Sequence, residues 1–563
     1  MSAMSNLIYS ILDNSGCSVI NFKTILNMKK IIFIVSFSLL FFLSPRDIYA
    51  DDRVDEYINR MTLREKIGQI LLVGFLGQTL SSEDIAHFKK INPGGVIFYS
   101  RNFEDARDIP PLISGIESIF KNNNLPMFFA IDQEGGVVSR IKGEYRPPSE
   151  PTIGAVNSDG LAMEIGRSVG SALRSSGINV NLAPVLDVPS DIQFSPMTKR
   201  SYSNDSETVE RLGIAYIRGL KEAGMLATAK HFPGIGRTPK DSHLGLPRIT
   251  WKTQDEKNSD LLPFKSAVKS GVDIIMFGHF IAEPGDIKNP VSLSSYWMKD
   301  ILRKDMGFDG LIMVDNIEMK PIEILMPIPE AAVQSFKAGV DIIMISHQPD
   351  KQEAILNALM DAVNKGDISI ERLNESLRRI IEAKIRIMSY KPPEKIINNL
   401  KDISYMAAEN SVTALKFRDA PPINASTKDR VLFTGYNKAQ FNAIRNVFMH
   451  TEILNTPLKK IKPELSIKEF LGKFDVLFID ADYPDASEII SLCNNLNVKY
   501  VVLLTSYWNI RKTLDILQPK WIIIPFEDNI THFSVVFDIL TGARQAKGKL
   551  PYRFNIPSKY IYY

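Results

Sequence analysis

The densest concentration of reactive groups is Lys230-His-Phe-Pro-Gly-Ile-Gly-Arg-Thr-Pro-Lys-Asp-Ser-His243, which holds two of the chain's seven histidines. It starts where an apolar run ends and continues as a Gly/Pro-rich loop. In Asp241-Ser-His243 a carboxylate can reach an imidazole nitrogen two residues away, fix its tautomer and make the other nitrogen a better proton shuttle. Gly234 and Gly236 would let the loop move over a bound substrate. The same triplet also fits a plain surface turn. A metal site built from His231, His243, His279 and an Asp is a further reading, although no His-x-His or His-x-x-x-His pair is present to seed one.

Two more carboxylates stand where chemistry is expected. Asp315 closes the apolar run Gly310-Leu-Ile-Met-Val, and a charge there is costly unless it is paired or at work. A structural Asp bonded to Lys or Arg is the competing reading. Asp132-Gln-Glu-Gly-Gly136 follows another apolar run, with Arg140 further along the same loop. Its glycines permit close backbone approach to a ligand, whereas a simple strand-end cap would also explain Asp132.

These groups need elements to position them. Short, nearly continuous apolar runs recur at Gln69–Phe75, Gly95–Tyr99, Met127–Ile131, Asn179–Ala183, Leu226–Ala229, Asp273–Gly278, Gly310–Val314 and Asp341–Ser346. Runs of this kind suit parallel strands covered on both faces. Helical segments separate them. One follows Ser81 with a capping-box-like Asp84, and another starts at Pro329. An open doubly wound sheet shares this alternation, but it gathers chemistry at one crevice. Here polar residues end many strands: Asp132, Asp187, Lys230, His231, His279, Asp315 and His347. That pattern predicts a (β/α)8 TIM-type barrel with one common mouth.

Ser369–Met388 carries Leu373, Leu377, Ile380, Ile381 and Ile385 at helical spacing, so it packs on the barrel rim. A Pro-Pro break after Tyr390 reads as a linker. Beyond it, Val431–Phe433, Val476–Ile479, Tyr500–Leu504 and Trp521–Pro525 predict a smaller α/β/α open-sheet sandwich of four or five strands. The expected domains are therefore 1–50, 51–390 and 391–563.

Residues 28–50 carry a basic start, thirteen mostly apolar residues from Ile31 to Leu43, and Ala50 before Asp51. This is a secretory signal pattern with a start expected at Met28, and the apolar stretch falls short of a bilayer span. An exported protein, periplasmic or extracellular, is expected. An uncleaved segment would instead act as an N-terminal anchor. Cleavage would remove Cys17 and leave Cys493 alone, with no internal disulfide. A net charge of +3 across 563 residues gives no sign of a nucleic-acid binder.

With these residues in view, the chain resembles family 3 glycoside hydrolases of the β-N-acetylhexosaminidase branch. That branch carries Lys-His-[Phe/Ile]-Pro-Gly-x-Gly-x-x-x-x-Asp-[Ser/Thr]-His, met here by Lys230 through His243. Asp132-Gln-Glu-Gly-Gly136 with Arg140, Ala183-Pro-Val-Leu-Asp-Val188, the Asp315 to Met319 segment, and Met61 to Gln69 also match. The resemblance is strong over 52–390 and rests mainly on Gly548-Lys-Leu-Pro551 in the second domain. The chain departs from the pattern at Ile235, at Val137, and at Val314-Asp315-Asn316, where a hydroxyl neighbour is common.

The resemblance implies a retaining exo-β-N-acetylglucosaminidase acting on peptidoglycan fragments or chitooligosaccharides. Asp315 would be the nucleophile, with His243 and Asp241 the acid/base dyad. Asp132, Arg140, Arg200, Lys230 and His231 would contact the sugar. No metal or organic cofactor, no nucleic acid and no stable membrane insertion after cleavage are implied, and a monomer is expected. A phosphorylase using the same dyad, or a cell-wall glycan-binding protein without turnover, are the alternatives.

Overall fold

The computed structural model describes residues 45–562 apart from 121–124, 143–145, 239–244, 391–399, 418–424, 427, 436–437, 449, 456–466, 528 and 553–555. The expected signal segment up to Ser44, the Asp241-Ser-His243 triplet and the linker after Tyr390 thus lie outside the described residues. Residues up to Arg60 form one compact unit and Met61–Tyr563 a second. In the first, a helix over Pro45–Arg60 runs across the Ala50–Asp51 junction. Among the described residues no helix is long and apolar enough to cross a membrane.

The eight apolar runs form eight parallel strands: β1 (Leu71–Val73), β2 (Gly95–Phe98), β3 (Phe128–Ile131), β4 (Val180–Asn181), β5 (Leu226–Phe232), β6 (Ile274–Phe277), β7 (Leu311–Val314) and β8 (Ile342–Ile345). They close into a barrel, with β1 paired to β8 through Leu71–Ile343, Leu72–Met344 and Val73–Ile345. Every residue of β1, β2, β3 and β6 to β8 is buried, which explains why the runs show no alternation. Ser81 caps the helix Ser82–Ile91 in a reciprocal capping box with Asp84, as its spacing predicts.

Charged side chains fasten the closed lower end of the barrel. Asp341, just before β8, is fully buried and accepts from Arg303 at 2.6 Å, from Ser376 and from the Ile312 amide. Ser376 belongs to the amphipathic helix Ile370–Ser389, which also sends Arg372 and Arg379 toward Asp341. Lys384 of this helix is buried, and its amine donates to Gln69 Oε1 at 2.6 Å.

Beyond the barrel a seven-stranded sheet runs β11-β10-β12-β13-β14-β9-β15. Its strands are β9 (Thr413–Phe417), β10 (Arg430–Thr434), β11 (His450–Leu454), β12 (Val476–Asp480), β13 (Lys499–Leu503), β14 (Trp521–Ile524) and β15 (Tyr560–Tyr562). Alternate residues of β12 face opposite layers. Val476 and Phe478 meet Phe533 and Phe537 of the helix Ile530–Leu540, while Leu477 and Ile479 meet Ile489 and Cys493 of the helix Ala486–Leu496. The α/β/α layering is as expected, but the expected four or five strands become seven. The sheet is mixed, because β9 pairs antiparallel with both β14 and β15. Thr413, Ala414 and Leu415 are all buried, and the strand lies outside any strand–helix repeat that would have marked it.

Burial lowers the Lys384 amine from 10.5 to about 7. Between those values the unfolded chain carries a proton that the native state does not, so this group makes stability rise with pH across that window and leaves it flat below. Urea unfolding at pH 7 and pH 10 is expected to show the wild type gaining on Lys384→Met by a few kcal/mol, at about 1.4 kcal/mol per pH unit. A constant difference between the two proteins would contradict the assignment.

Candidate active site

The carboxyl ends of the strands surround a cavity of about 300 Å³ lined by Asp132, Glu134, Arg140, Arg200, Lys230, His231 and Asp315, among others. Six of the eight residues expected at the site are therefore gathered there, together with Ile235. Asp241 and His243 lie outside the described residues, and Thr238 is the last described position before them.

A buried ion network forms one wall. Lys230, at the end of β5, is 2% exposed and reaches Asp132 Oδ1 at 2.9 Å and Glu134 Oε1 at 2.6 Å. Arg140 donates to the other Asp132 oxygen at 3.0 Å. Arg200 forks onto Glu134, with Nε to Oε2 at 2.8 Å and Nη2 to Oε1 at 2.7 Å. Burial opposes ionisation of both carboxyls, yet Lys230 with Arg140 holds Asp132, and Arg200 with Lys230 holds Glu134, well below the usual carboxylate range. Burial likewise works against the Lys230 charge, and Asp132 and Glu134 overcome it. Asp132 is therefore more than a strand-end cap.

Consecutive strand residues normally face opposite sides of a sheet. Lys230 and His231 both reach the cavity because the pairing of β5 with β6 slips between Lys230 and Phe232. The His231 ring is set by Asp187, whose Oδ2 lies 2.7 Å from Nδ1, and its Nε2 lies 3.4 Å from Arg200 Nη2. Asp187 is fully buried and also accepts the Ile235 amide at 2.8 Å. Further along, Arg237 is anchored by Asp260 at 2.6 Å, and Trp251 Nε1 donates to the same Asp260 oxygen at 2.8 Å.

Gly234 adopts φ +113°, in the left-handed region that favours glycine, and Gly236 sits where no side chain fits. A Cβ on Gly236 would sit 2.1 Å from the Val188 carbonyl oxygen. Gly135, at φ +120°, similarly presses against the Pro148 carbonyl and lets the Asp132 loop double back.

Asp315 stands apart from the ion network. Among the described residues no Lys or Arg pairs with it, in contrast to Asp132 and Glu134. Its Oδ1 accepts the Asn316 amide at 2.7 Å, and its own amide donates to the Phe277 carbonyl at 2.9 Å. His279 Nε2 lies 3.2 Å from the Asp315 carbonyl and 3.1 Å from that of Asn316, so it carries the proton, while Nδ1 faces the Ser292 hydroxyl at 2.7 Å. Burial lowers the His279 pKa, which suits a neutral ring that fixes the backbone of Asp315. Both ring nitrogens of His279 are thus engaged within the protein, contrary to the metal reading. Among the described residues no group of three or more His, Cys, Asp or Glu is placed to hold a metal.

Sequence reasoning left Glu134 and Asp187 without roles and did not single out Tyr99. Glu134 sits inside the highlighted Asp132-Gln-Glu-Gly-Gly136 stretch, and a carboxylate flanked by two glycines at a strand end was its only signal. Tyr99 directly follows β2, donates to Ser346 Oγ at 2.8 Å and lies under the Arg140 guanidinium at 5.1 Å.

Polar groups gathered at the carboxyl-end mouth of a closed barrel mark the place of an enzyme's active site, and comparison with known proteins fixes the family. Residues 62–383 match the family described as Glycosyl hydrolase family 3 N terminal domain. The chain belongs to glycosyl hydrolase family 3. A Beta-hexosaminidase of Photobacterium profundum is 31% identical over 336 residues, covering 59% of this chain and 96% of its own length. Beta-hexosaminidase A of Pseudoalteromonas piscicida is 32% identical over 334 residues, 55% of this chain, and the chain spans only 56% of that protein's length. The solved structure of a glycoside hydrolase family 3 beta-N-acetylglucosaminidase from Paenibacillus sp. str. FPU-7 superposes with a TM-score of 0.76 at 28% identity. It covers 88% of this chain and 99% of that one.

Removing one partner of a buried ion network leaves the others uncompensated. Glu134→Gln, which strips Arg200 and Lys230 of a shared carboxylate, is expected to cost about 3–5 kcal/mol in urea unfolding. A loss below about 1 kcal/mol, the range of exposed pairs, would show that the network is not buried as described.

Proposed function

We propose that this chain is a retaining exo-β-N-acetylglucosaminidase that releases terminal β-linked N-acetylglucosamine from peptidoglycan fragments or chitooligosaccharides. The observation that carries this reading is the contrast among the carboxylates of the cavity. Asp132 and Glu134 are paired with cations, whereas Asp315 faces the same space and, among the described residues, pairs with no Lys or Arg. A carboxylate outside an ion pair is the better nucleophile toward carbon. The family membership and the names of the relatives support the same substrate class.

In this reading the ion network receives the hydroxyls and the acetamido group of the sugar. Asp315 attacks the anomeric carbon as the bond to the leaving oxygen breaks, and His243 gives that oxygen a proton. His243 then takes a proton from water, the water oxygen bonds to the anomeric carbon, and the bond to Asp315 breaks. Asp241 orients the ring. Asp187 and Asp260 hold the chain as far as Arg237, four residues before Asp241.

A chromogenic β-N-acetylglucosaminide tests the proposal. The wild type is expected to turn over at a rate independent of added phosphate, and Asp315→Ala to lose at least about a thousandfold in kcat. Phosphate-dependent release of a sugar 1-phosphate would make the protein a phosphorylase. Saturable binding without turnover would make it a glycan-binding protein.

Export belongs to the same proposal and rests on the pattern of Met28–Ala50. Cys493 is buried and free, and burial pushes its thiol up to about 12, so it is poorly suited to disulfide exchange outside the cell. N-terminal sequencing of secreted protein is expected to start at Asp51. A chain that keeps Met28 and stays with the membrane would contradict cleavage.

A further inference from the structure

Arg200 leaves the barrel wall on a segment that the second domain grips directly. It follows the short turn Pro196–Lys199, and the carbonyls on either side of it, those of Thr198 and Ser201, face two tyrosines of the second domain. Tyr552 Oη donates to the Ser201 carbonyl at 2.9 Å and also to that of Thr198. Tyr507 Oη donates to the Thr198 carbonyl at 3.1 Å. The two rings stack with centroids 5.7 Å apart and planes 7° apart, and each tyrosine is 3% exposed. Burial raises both hydroxyls above the usual tyrosine value, so both remain donors at any working pH. Two residues beyond this stretch, Ser203 Oγ donates to the Pro551 carbonyl.

The partner of Arg200 is gripped from the same side. The loop that carries Glu134 folds back so that Gly135 and Gly136 lie against Pro148 and Ser149. There Glu527 of the second domain accepts the Ser149 amide at 2.7 Å and the Thr152 hydroxyl at 2.9 Å. Both chain segments that meet in the Arg200–Glu134 fork are therefore fastened to the second domain. The Photobacterium profundum relative matches this chain over 96% of its own length through a region covering 59% of it, so a barrel can exist without this brace.

We infer that Tyr552 and Tyr507 are positioning residues of the sugar site: their hydroxyls fix the backbone on both sides of Arg200, so the second domain sets the geometry of the arginine that receives the sugar. This rests on the reading of Arg200 as a sugar contact. Neither tyrosine touches the reacting atoms, and loss of their hydroxyls acts on how well the sugar is held before it acts on the chemistry.

The test uses the full chain, with Tyr552→Phe and the Tyr507→Phe/Tyr552→Phe pair assayed on the chromogenic β-N-acetylglucosaminide and melted in parallel. The double variant is expected to raise KM about tenfold while kcat stays within about twofold. In an Arg200→Lys background the same tyrosine changes are expected to add less than about twofold to KM, because the group they position is already altered. An unchanged KM in the tyrosine variants overturns the inference, and so does an equal increase in both backgrounds, since that is what a general structural role would give. Should Arg200→Lys itself leave KM unchanged, the sugar-contact reading of Arg200 fails, and the inference with it. If Tyr552→Phe does not fold, Tyr507→Phe alone removes one of the two donors on the Thr198 carbonyl and is held to a KM increase of about threefold.

Discussion

A fully buried ammonium organises the mouth of this barrel. Lys230 cannot keep its charge out of water unless carboxylates surround it, and Asp132 and Glu134 supply them at 2.9 and 2.6 Å. Those two carboxylates would in turn be over-negative with a single lysine between them, so Arg140 completes Asp132 and Arg200 completes Glu134. Each member is tolerable only because the next is present. Three separate strand-end segments, after β3, β4 and β5, must therefore converge, and the slip in β5 pairing and the doubled-back glycine loop both serve that convergence.

The same electrostatics sorts the carboxylates of the cavity by role. Those that meet cations are committed to structure and to receiving a polar ligand. Asp187 is committed to the His231 ring and the Ile235 amide. Among the described residues Asp315 meets only backbone, its own segment being fixed by the neutral His279 through two carbonyls. In the proposed function this contrast is what makes Asp315 the carboxylate that bonds to the anomeric carbon.

Much of this was legible in the sequence because barrel strands are buried on both faces and therefore read as unbroken apolar runs. All eight were found, and polar residues at their ends pointed to a common mouth. What escaped was set by partners distant in sequence. Glu134 looked like part of a glycine turn, and only Arg200, 66 residues later, and Lys230 reveal it as the pivot of the network. A metal-ligand reading of His279, already short of a His-x-His or His-x-x-x-His pair, stayed open because its position at a strand end says nothing about which way its nitrogens face. In the second domain, β9, β11 and β15 escaped because edge and antiparallel strands do not repeat the strand–helix alternation by which the others were recognised. The tyrosine brace was equally hidden: two aromatic residues 45 positions apart carry no sign of the carbonyls they meet.

The central claim is that Asp315 is the carboxylate left free to bond to the sugar. Incubation with a fluorinated N-acetylglucosaminyl donor that forms the glycosyl-enzyme faster than it hydrolyses, followed by peptide mass spectrometry, tests this directly. The expected result is one sugar adduct, carried by the peptide that contains Asp315. An adduct on Asp132 or Glu134, or inactivation with the sugar bound to no carboxylate of the cavity, would contradict the account.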